Sequence, residues 1–310
     1  MTRFFLIGAP IAVAAAVVFG GGDGSVRPAD AADESPAPSV TGAVNPLKAG
    51  TMDEQKALEE RIAKMPPGLA APGMKELAAQ LVASADNSTL DWRGEYDDIE
   101  DIGDGNGYTA GVIGFCSGTN DMLQLVEHYT KEHPGNPLAE YLPALRAVDG
   151  TDSHEGLDPG FTDAWKTAAK DPAFRRAQDE IRDRIYFDPA VRLAKMDGLS
   201  TLGQFIYYDA MVLHGPGVDP NAFYGIRTTA LKGTKTPAAG GDEEAYLNTF
   251  LDASRAVMKG QKTERERDTS RIDTAQRVFL RAGNMDLKVP LTWKTYGETY
   301  SVTTQPAGSP

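Results

Sequence analysis

The side chains best placed to do chemistry in this chain are carboxylates beside a glycine-rich turn. Asp86 closes a helical pattern in Ser84-Ala-Asp-Asn87, and Asp104 stands between Gly103 and Gly105. A glycosidic bond is cleaved by one carboxyl that gives a proton to the leaving oxygen and a second, ionised one that activates water or attacks the sugar. Glycines on both sides of Asp104 would let a polymer approach it closely. Taken alone, an Asp-Gly-Asn-Gly stretch is also an ordinary turn.

Other chemistries lack their residues. The four histidines, His128, His133, His154 and His214, form no H-E-x-x-H pair, and a lone cysteine cannot build a structural zinc site. A phosphate-cradling G-x-x-x-x-G-K-[ST] loop does not occur. The acidic run from Asp97 to Gly107 resembles a calcium loop in composition only, because Ile102 and Thr109 occupy its fifth and twelfth places. No metal and no cofactor are expected. Cys116 lies in the apolar stretch Val112 to Gly118, with no activating histidine close in sequence, and reads as a buried, inert thiol. In Gly114-Phe-Cys-Ser-Gly118 the serine falls one place too late for a nucleophile elbow.

Helices must carry most of these residues. Leu77, Ala78, Leu81, Val82 and Ala85 share one face of a helix over Met74 to Asp86, ended by Asn87-Ser88. From Leu90 to Gly118 the density of Gly and Asp around Val112-Ile113 suggests short strands and turns. Helical patterns resume over Asn120 to Glu132 and Leu138 to Val148. Asp188-Pro189 reads as an N-cap and first-turn proline for the longest apolar run, Ala190 to Leu213. Gly198 and Gly203 inside that run suggest a bend or a close packing contact, so the expectation is one long bent helix that can join two lobes. Asp242 to Lys259 and Asp268 to Ala282 follow, the latter stopped by Gly283, and then a strand-like tail through Leu291, Trp293, Tyr296 and Tyr300.

Composition sets the broader limits. The 310 residues are enough for one large domain or two packed lobes, and 41% hydrophobic with 24% charged residues is ordinary globular usage. A net charge of -13 disfavours sequence-independent binding to nucleic acid or anionic lipid and favours a cationic partner. With one cysteine no intrachain disulfide is possible, so packing must stabilise the core. Arg3, the apolar run Phe4 to Gly20 and Ala29-Asp30-Ala31 have the features of a secretory leader, residues 1–31; an uncleaved anchor is the competing reading. Residues 32–50 read as a Pro-, Ser-, Ala- and Gly-rich linker, 51–73 as an N-terminal extension with a helical pattern around Ala57 to Ile62, and 74–303 as the catalytic unit. A secreted monomer without lasting membrane association is expected once the leader is removed.

An ordered set of blocks carries a family resemblance. Ser84 to Trp92, Tyr96 to Tyr108, Gly114 to Thr119 and Asp121 resemble the secreted actinobacterial chitosanases of glycoside hydrolase family 46. The likeness continues through Arg184 to Ala190, Gly203-Gln-Phe205, Tyr207 to Ala210, His214 to Gly217, Asp268 to Arg271 and Phe279 to Asn284, in the same order. It implies a mainly α, lysozyme-like protein of two lobes around a cleft, with a small β region, acting as an inverting endo-hydrolase on chitosan, a polycation.

Position by position, the resemblance implies Asp104 as the base that activates water and Thr109 as a residue that helps to hold that water. Asp121 would bind a substrate amine, while Asp209 and Arg271 would form a charged network behind the acid. The acid position departs from the family: Asp86 stands where glutamate is expected, which sets the carboxyl one methylene back. Asn106 stands where an arginine is expected, and Ser254-Arg255 shifts another arginine by one place, which on a helix turns the side chain by about 100 degrees. Two other readings stay open on the residues: a chitosan-binding protein with little turnover, and a lysozyme-like hydrolase acting on peptidoglycan or chitin.

Overall fold

Buried apolar stripes decide where the helices form. The computed structural model describes residues 46, 51–261 and 267–307, so the leader over 1–31 and all of the 32–50 linker except Pro46 lie outside the described residues. In α1 (Met52–Ala63), Thr51 and Glu54 form a reciprocal capping box, and Ile62 is the buried residue. Helix α2 (Pro72–Asp86) begins on a proline in its first turn and buries Leu77, Ala78, Leu81, Val82 and Ala85, as their spacing requires.

After α2 the chain makes a three-stranded antiparallel sheet: β1 (Ile99–Asp101), β2 (Tyr108–Ala110) and β3 (Phe115–Cys116). Asp101 pairs with Tyr108 and Glu100 with Thr109 across β1 and β2, so residues 102–107 form the connecting loop. Helices α3 (Asp121–Glu132) and α5 (Phe161–Ala168) pack against this sheet, and α4 (Leu142–Val148) packs on α3. Their core is aromatic, with Trp165 edge-on to Phe174 at 5.0 Å and Tyr129 against Phe174 at 4.9 Å.

The second group of elements is more purely helical. Helix α8 (Thr201–His214) is buried along nearly its whole length and packs against α7 (Asp188–Met196) and α9 (Phe223–Gly233). Helix α10 (Glu243–Lys259) is capped by Asp242, whose carboxylate accepts from Ala245 N at 2.8 Å. The short α11 (Arg277–Arg281) leads into a hairpin of β4 (Leu291–Thr295) and β5 (Glu298–Val302). Among the described residues no helix is long and apolar enough to cross a membrane.

The mainly α architecture with a small sheet agrees with expectation, but the long helix lies earlier than the apolar run placed it. It spans 172–196, as α6 (Pro172–Arg182), a π-helical turn at Asp183–Phe187, and α7. Its first half packs on α3 and its second on α8, so it joins the two groups of elements. Asp188-Pro189 therefore does not start a helix: Phe187 before it is helical, with φ -71° and ψ -57°. The wide turn shifts the ladder, with Asp188 N reaching back to Asp183 O, and Pro189 follows where a missing N–H costs least.

Ala190 to Leu213 is correspondingly two helices and not one. Gly198 adopts φ +79° between them, and a Cβ there would stand 2.9 Å from Ala238 N. Ser200 then caps α8, accepting from Gly203 N at 3.3 Å. Gly203 is the close contact foreseen, since a Cβ on it would lie 2.7 Å from that of Leu199. The Asp268 to Ala282 pattern is also divided, into a π-helical Arg271–Gln276 and α11. Likewise Leu138 to Val148 begins with a 3-10 turn at Ala139–Tyr141 before α4.

Gly198→Ala is expected to lower stability in urea unfolding by about 1–2 kcal/mol, the cost of a left-handed non-glycine residue. An unchanged midpoint would contradict the account of the α7 to α8 break.

Candidate active site

Asp86 is the last residue of α2, and the C-terminal hairpin fixes the turn that carries it. Trp293 Nε1 donates to Ser84 Oγ at 2.9 Å, and Thr295 Oγ1 donates to Ser84 O at 2.8 Å. Two residues further on, Asp86 is fully buried and meets the Arg271 guanidinium, with Nη1 at 2.9 Å from Oδ1. Arg271 also grips Asp209 of α8, through Nη2 to Oδ1 at 2.8 Å and Nε to Oδ2 at 3.1 Å. Gln276 Nε2 adds a third donor to Asp209 at 2.6 Å.

This cluster places two carboxylates on one guanidinium in a spot closed to solvent. An unbalanced buried charge is costly, so the cluster is suited to hold one proton. Three donor atoms share the two oxygens of Asp209. Arg271, read from the sequence with Asp209 as a network behind the acid, contacts both Asp86 and Asp209. Arg255 stays outside it: Arg255 Nε pairs with Asp273 Oδ2 at 2.8 Å. The inward place is taken by Ser254, whose hydroxyl contacts His214 Nε2 at 2.8 Å.

Asp104 occupies the 102–107 loop and is 6% exposed. Asn106 holds both of its oxygens, donating from its backbone N to Oδ1 at 2.9 Å and from Nδ2 to Oδ2 at 2.8 Å. That contact is possible because Gly103 and Gly105 turn with φ +72° and +95°, folding the loop back on itself. Asn106, a departure by sequence, therefore orients the candidate base. The Asp-x-Asn spacing was the signal for it, since such side chains bond the backbone two residues on.

Thr109 lies at the centre of β2, fully buried, with its hydroxyl 3.4 Å from Cys116 Sγ. Burial pushes the Cys116 thiol well up, and the nearby charges of Asp121 and Asp104 push it further, in keeping with an inert thiol. Asp121 begins α3 and is saturated on Oδ1, which accepts from Cys116 N at 3.0 Å, Thr119 Oγ1 at 2.7 Å and Met122 N at 2.8 Å. Its Oδ2 accepts from Tyr186 OH, in the π-helical turn, at 2.7 Å. Burial raises the Asp121 carboxyl above its ordinary range, against donors that favour its charged form.

Six sequence candidates thus fall into two clusters: Asp104, Thr109 and Asp121 around β2, β3 and α3, and Asp86, Asp209 and Arg271 around α2 and α8. A cavity of about 450 Å³ beside the N-terminal half of α2 contains none of them. Its charges are spent on one another, with Glu76 bound by Arg93 at 2.8 Å and Asp179 by Arg182 at 2.9 Å. It supplies no competing centre.

A sequence model described as Glycosyl hydrolase family 46 matches residues 80–291. A chitosanase of Streptomyces sp. (strain N174) is 62% identical over 235 residues, which are 76% of this chain and 84% of the relative. A chitosanase of Nocardioides sp. (strain N106) is 58% identical with the same coverage of each chain. A solved structure titled as a chitosanase complex superimposes with a TM-score of 0.74 at 55% identity, covering 77% of this chain and 100% of that one.

His214, beside this centre, yields a pH dependence. Burial and the Arg271 charge lower its pKa from 6.5 to about 3. Below about pH 6.5 the unfolded chain binds a proton that the native state refuses, so stability falls as pH falls, by up to about 1.4 kcal/mol per unit. His214→Gln should flatten the slope of urea-unfolding stability over that range; an identical slope would refute the assignment.

Proposed function

The chain belongs to glycosyl hydrolase family 46 and is an endo-acting chitosanase; we propose that it cleaves with inversion, with Asp86 as acid and Asp104 as base. The substrate is chitosan, a polymer of linked glucosamine units whose protonated amines suit a chain with a net charge of -13. The observation that carries the assignment of roles is the Arg271 guanidinium held between Asp86 and Asp209.

In this mechanism Asp104, with both oxygens aligned by Asn106, takes a proton from the attacking water, which the Thr109 hydroxyl helps to hold. Asp86 gives its proton to the departing glycosidic oxygen. As that proton leaves, the carboxylate that forms already faces Arg271 at 2.9 Å, so the charge appears where a fixed cation awaits it. Asp209 and Gln276 keep the guanidinium from turning away. Asp121 retains an acceptor direction on Oδ2 for a substrate ammonium beside the Tyr186 hydroxyl.

The shorter acid costs rate in this reading. A donor must come within about 2.6–3.2 Å of the oxygen it protonates. The Asp86 carboxyl is drawn into the Arg271 contact and is buried, so a Michaelis complex must bring the substrate inward or move α2 outward. Membership of a family of hydrolases does not favour the alternative of a binding protein with little turnover. We further propose that the protein is exported as a monomer on the leader read over residues 1–31; the basis is Arg3, the apolar run Phe4 to Gly20 and Ala29-Asp30-Ala31.

The direct assay is release of reducing ends from soluble chitosan. Asp104→Asn should abolish it, and Asp86→Glu should raise kcat by about tenfold to a hundredfold, since a catalytic group displaced by about 1 Å can cost that much. A parent faster than Asp86→Glu would remove Asp86 from the acid role.

A further inference from the structure

His154, which the mechanism above does not use, grips both ends of the loop that carries Asp104. That loop, 102–107, leaves β1 at Asp101 and enters β2 at Tyr108, and these two residues are cross-strand partners. The His154 ring stacks on Tyr108 with centroids 4.0 Å apart and planes 10° from parallel. Its Nε2, shielded from solvent, lies 3.4 Å from Asp101 Oδ2, and its Nδ1 lies 3.6 Å from Asp158 Oδ2. The other oxygens of those carboxylates are committed: Asp101 Oδ1 accepts from Gly103 N at 2.8 Å, and Asp158 Oδ1 accepts from Tyr108 OH at 2.6 Å.

The segment before His154 supports the loop from the opposite side. Gly118 N donates to Asn106 O at 2.9 Å, and Gly150 N donates to Gly118 O at 3.0 Å. A Cβ on Gly118 would stand 2.1 Å from Thr151 O, so these backbones are in close contact. The groups facing the imidazole are Asp101 from the end of β1, Tyr108 from β2 and Asp158 from its own segment, with Phe161 of α5 on Tyr108 at 6.0 Å. Both carboxylates lie at ion-pair distance from the ring nitrogens, longer than a hydrogen bond, so the stack on Tyr108 is the tighter of the contacts.

We propose that His154 is a positioning residue that closes the neck of the 102–107 loop and holds Asp104 in line for the attacking water. The inference rests on the reading of Asp104 as base. Without the ring on Tyr108 and the contact to Asp101 the neck loosens, so alignment of the base declines.

The test compares the parent with His154→Phe, which keeps a ring on Tyr108, and His154→Gln, which keeps a single donor. Hydrolysis of a soluble glucosamine hexamer is followed across pH. At acidic pH, kcat should fall about tenfold in His154→Phe with KM within about twofold, as for a misaligned base. Hydrogen exchange of the 102–107 amides, which needs no turnover, should be faster in both variants than in the parent at acidic pH, at a matched melting temperature. A loss confined to KM, an unchanged kcat, or unchanged exchange overturns the proposal. Asp104→Asn in the same assay separates the two readings: if it cleaves, the base assignment fails whatever His154 does. If it is inactive and His154→Phe keeps the parent kcat, the His154 proposal alone fails.

Discussion

One buried guanidinium orders the catalytic half of this protein. Arg271 has no solvent around it, so its charge is met entirely by protein: Asp86 from α2, Asp209 from α8, and Gln276 through Asp209. Losing one partner of a buried pair costs about 3–5 kcal/mol, because the other is left charged in a poor solvent for charge. The three elements are therefore fixed by the same contact that, in the proposed mechanism, meets the charge left on Asp86. On that proposal stability and catalysis draw on one interaction, and the tolerance of the site for substitution is correspondingly small.

Irregular helix supports this arrangement at two places. The π-helical turn at Asp183–Phe187 lies in the middle of the long helix and presents Tyr186 to Asp121. The second, Arg271–Gln276, presents both Arg271 and Gln276 to Asp209. A regular helix places residues five apart 140° from each other. Widening the turn brings such a pair to bear on one carboxylate. Both distortions occur where the chain must aim side chains at the centre, as expected of helix irregularities near functional sites.

Much of this was legible in the chain. The stripe of Leu77, Leu81 and Val82 marks α2 and with it the position of Asp86, and the ordered blocks point to Asp104, Thr109, Asp121, Asp209 and Arg271. The division of Ala190 to Leu213 was missed because apolar residues fill both α7 and α8, and periodicity alone does not mark a left-handed glycine between them. The π turns carry no local signature, since packing against Asp209 and Asp121 decides them. Asn106 was read for what it replaces and not for what it touches. Ser84, two residues before the acid, drew no notice, although it receives Trp293 from the far end of the chain.

That last contact bears on when the enzyme becomes an enzyme. Trp293 and Ser84 are 209 residues apart, so the hairpin that seats the final turn of α2 leaves the ribosome long after that helix does. The helix bearing the proposed acid is made first, yet neither its clamp from β4 nor its Arg271 partner exists until those distant segments have followed. A chain that stops short of them therefore lacks the centre. An unfolded chain would be silent toward polysaccharide, and its activity would begin only where these far-separated segments are free to close upon each other.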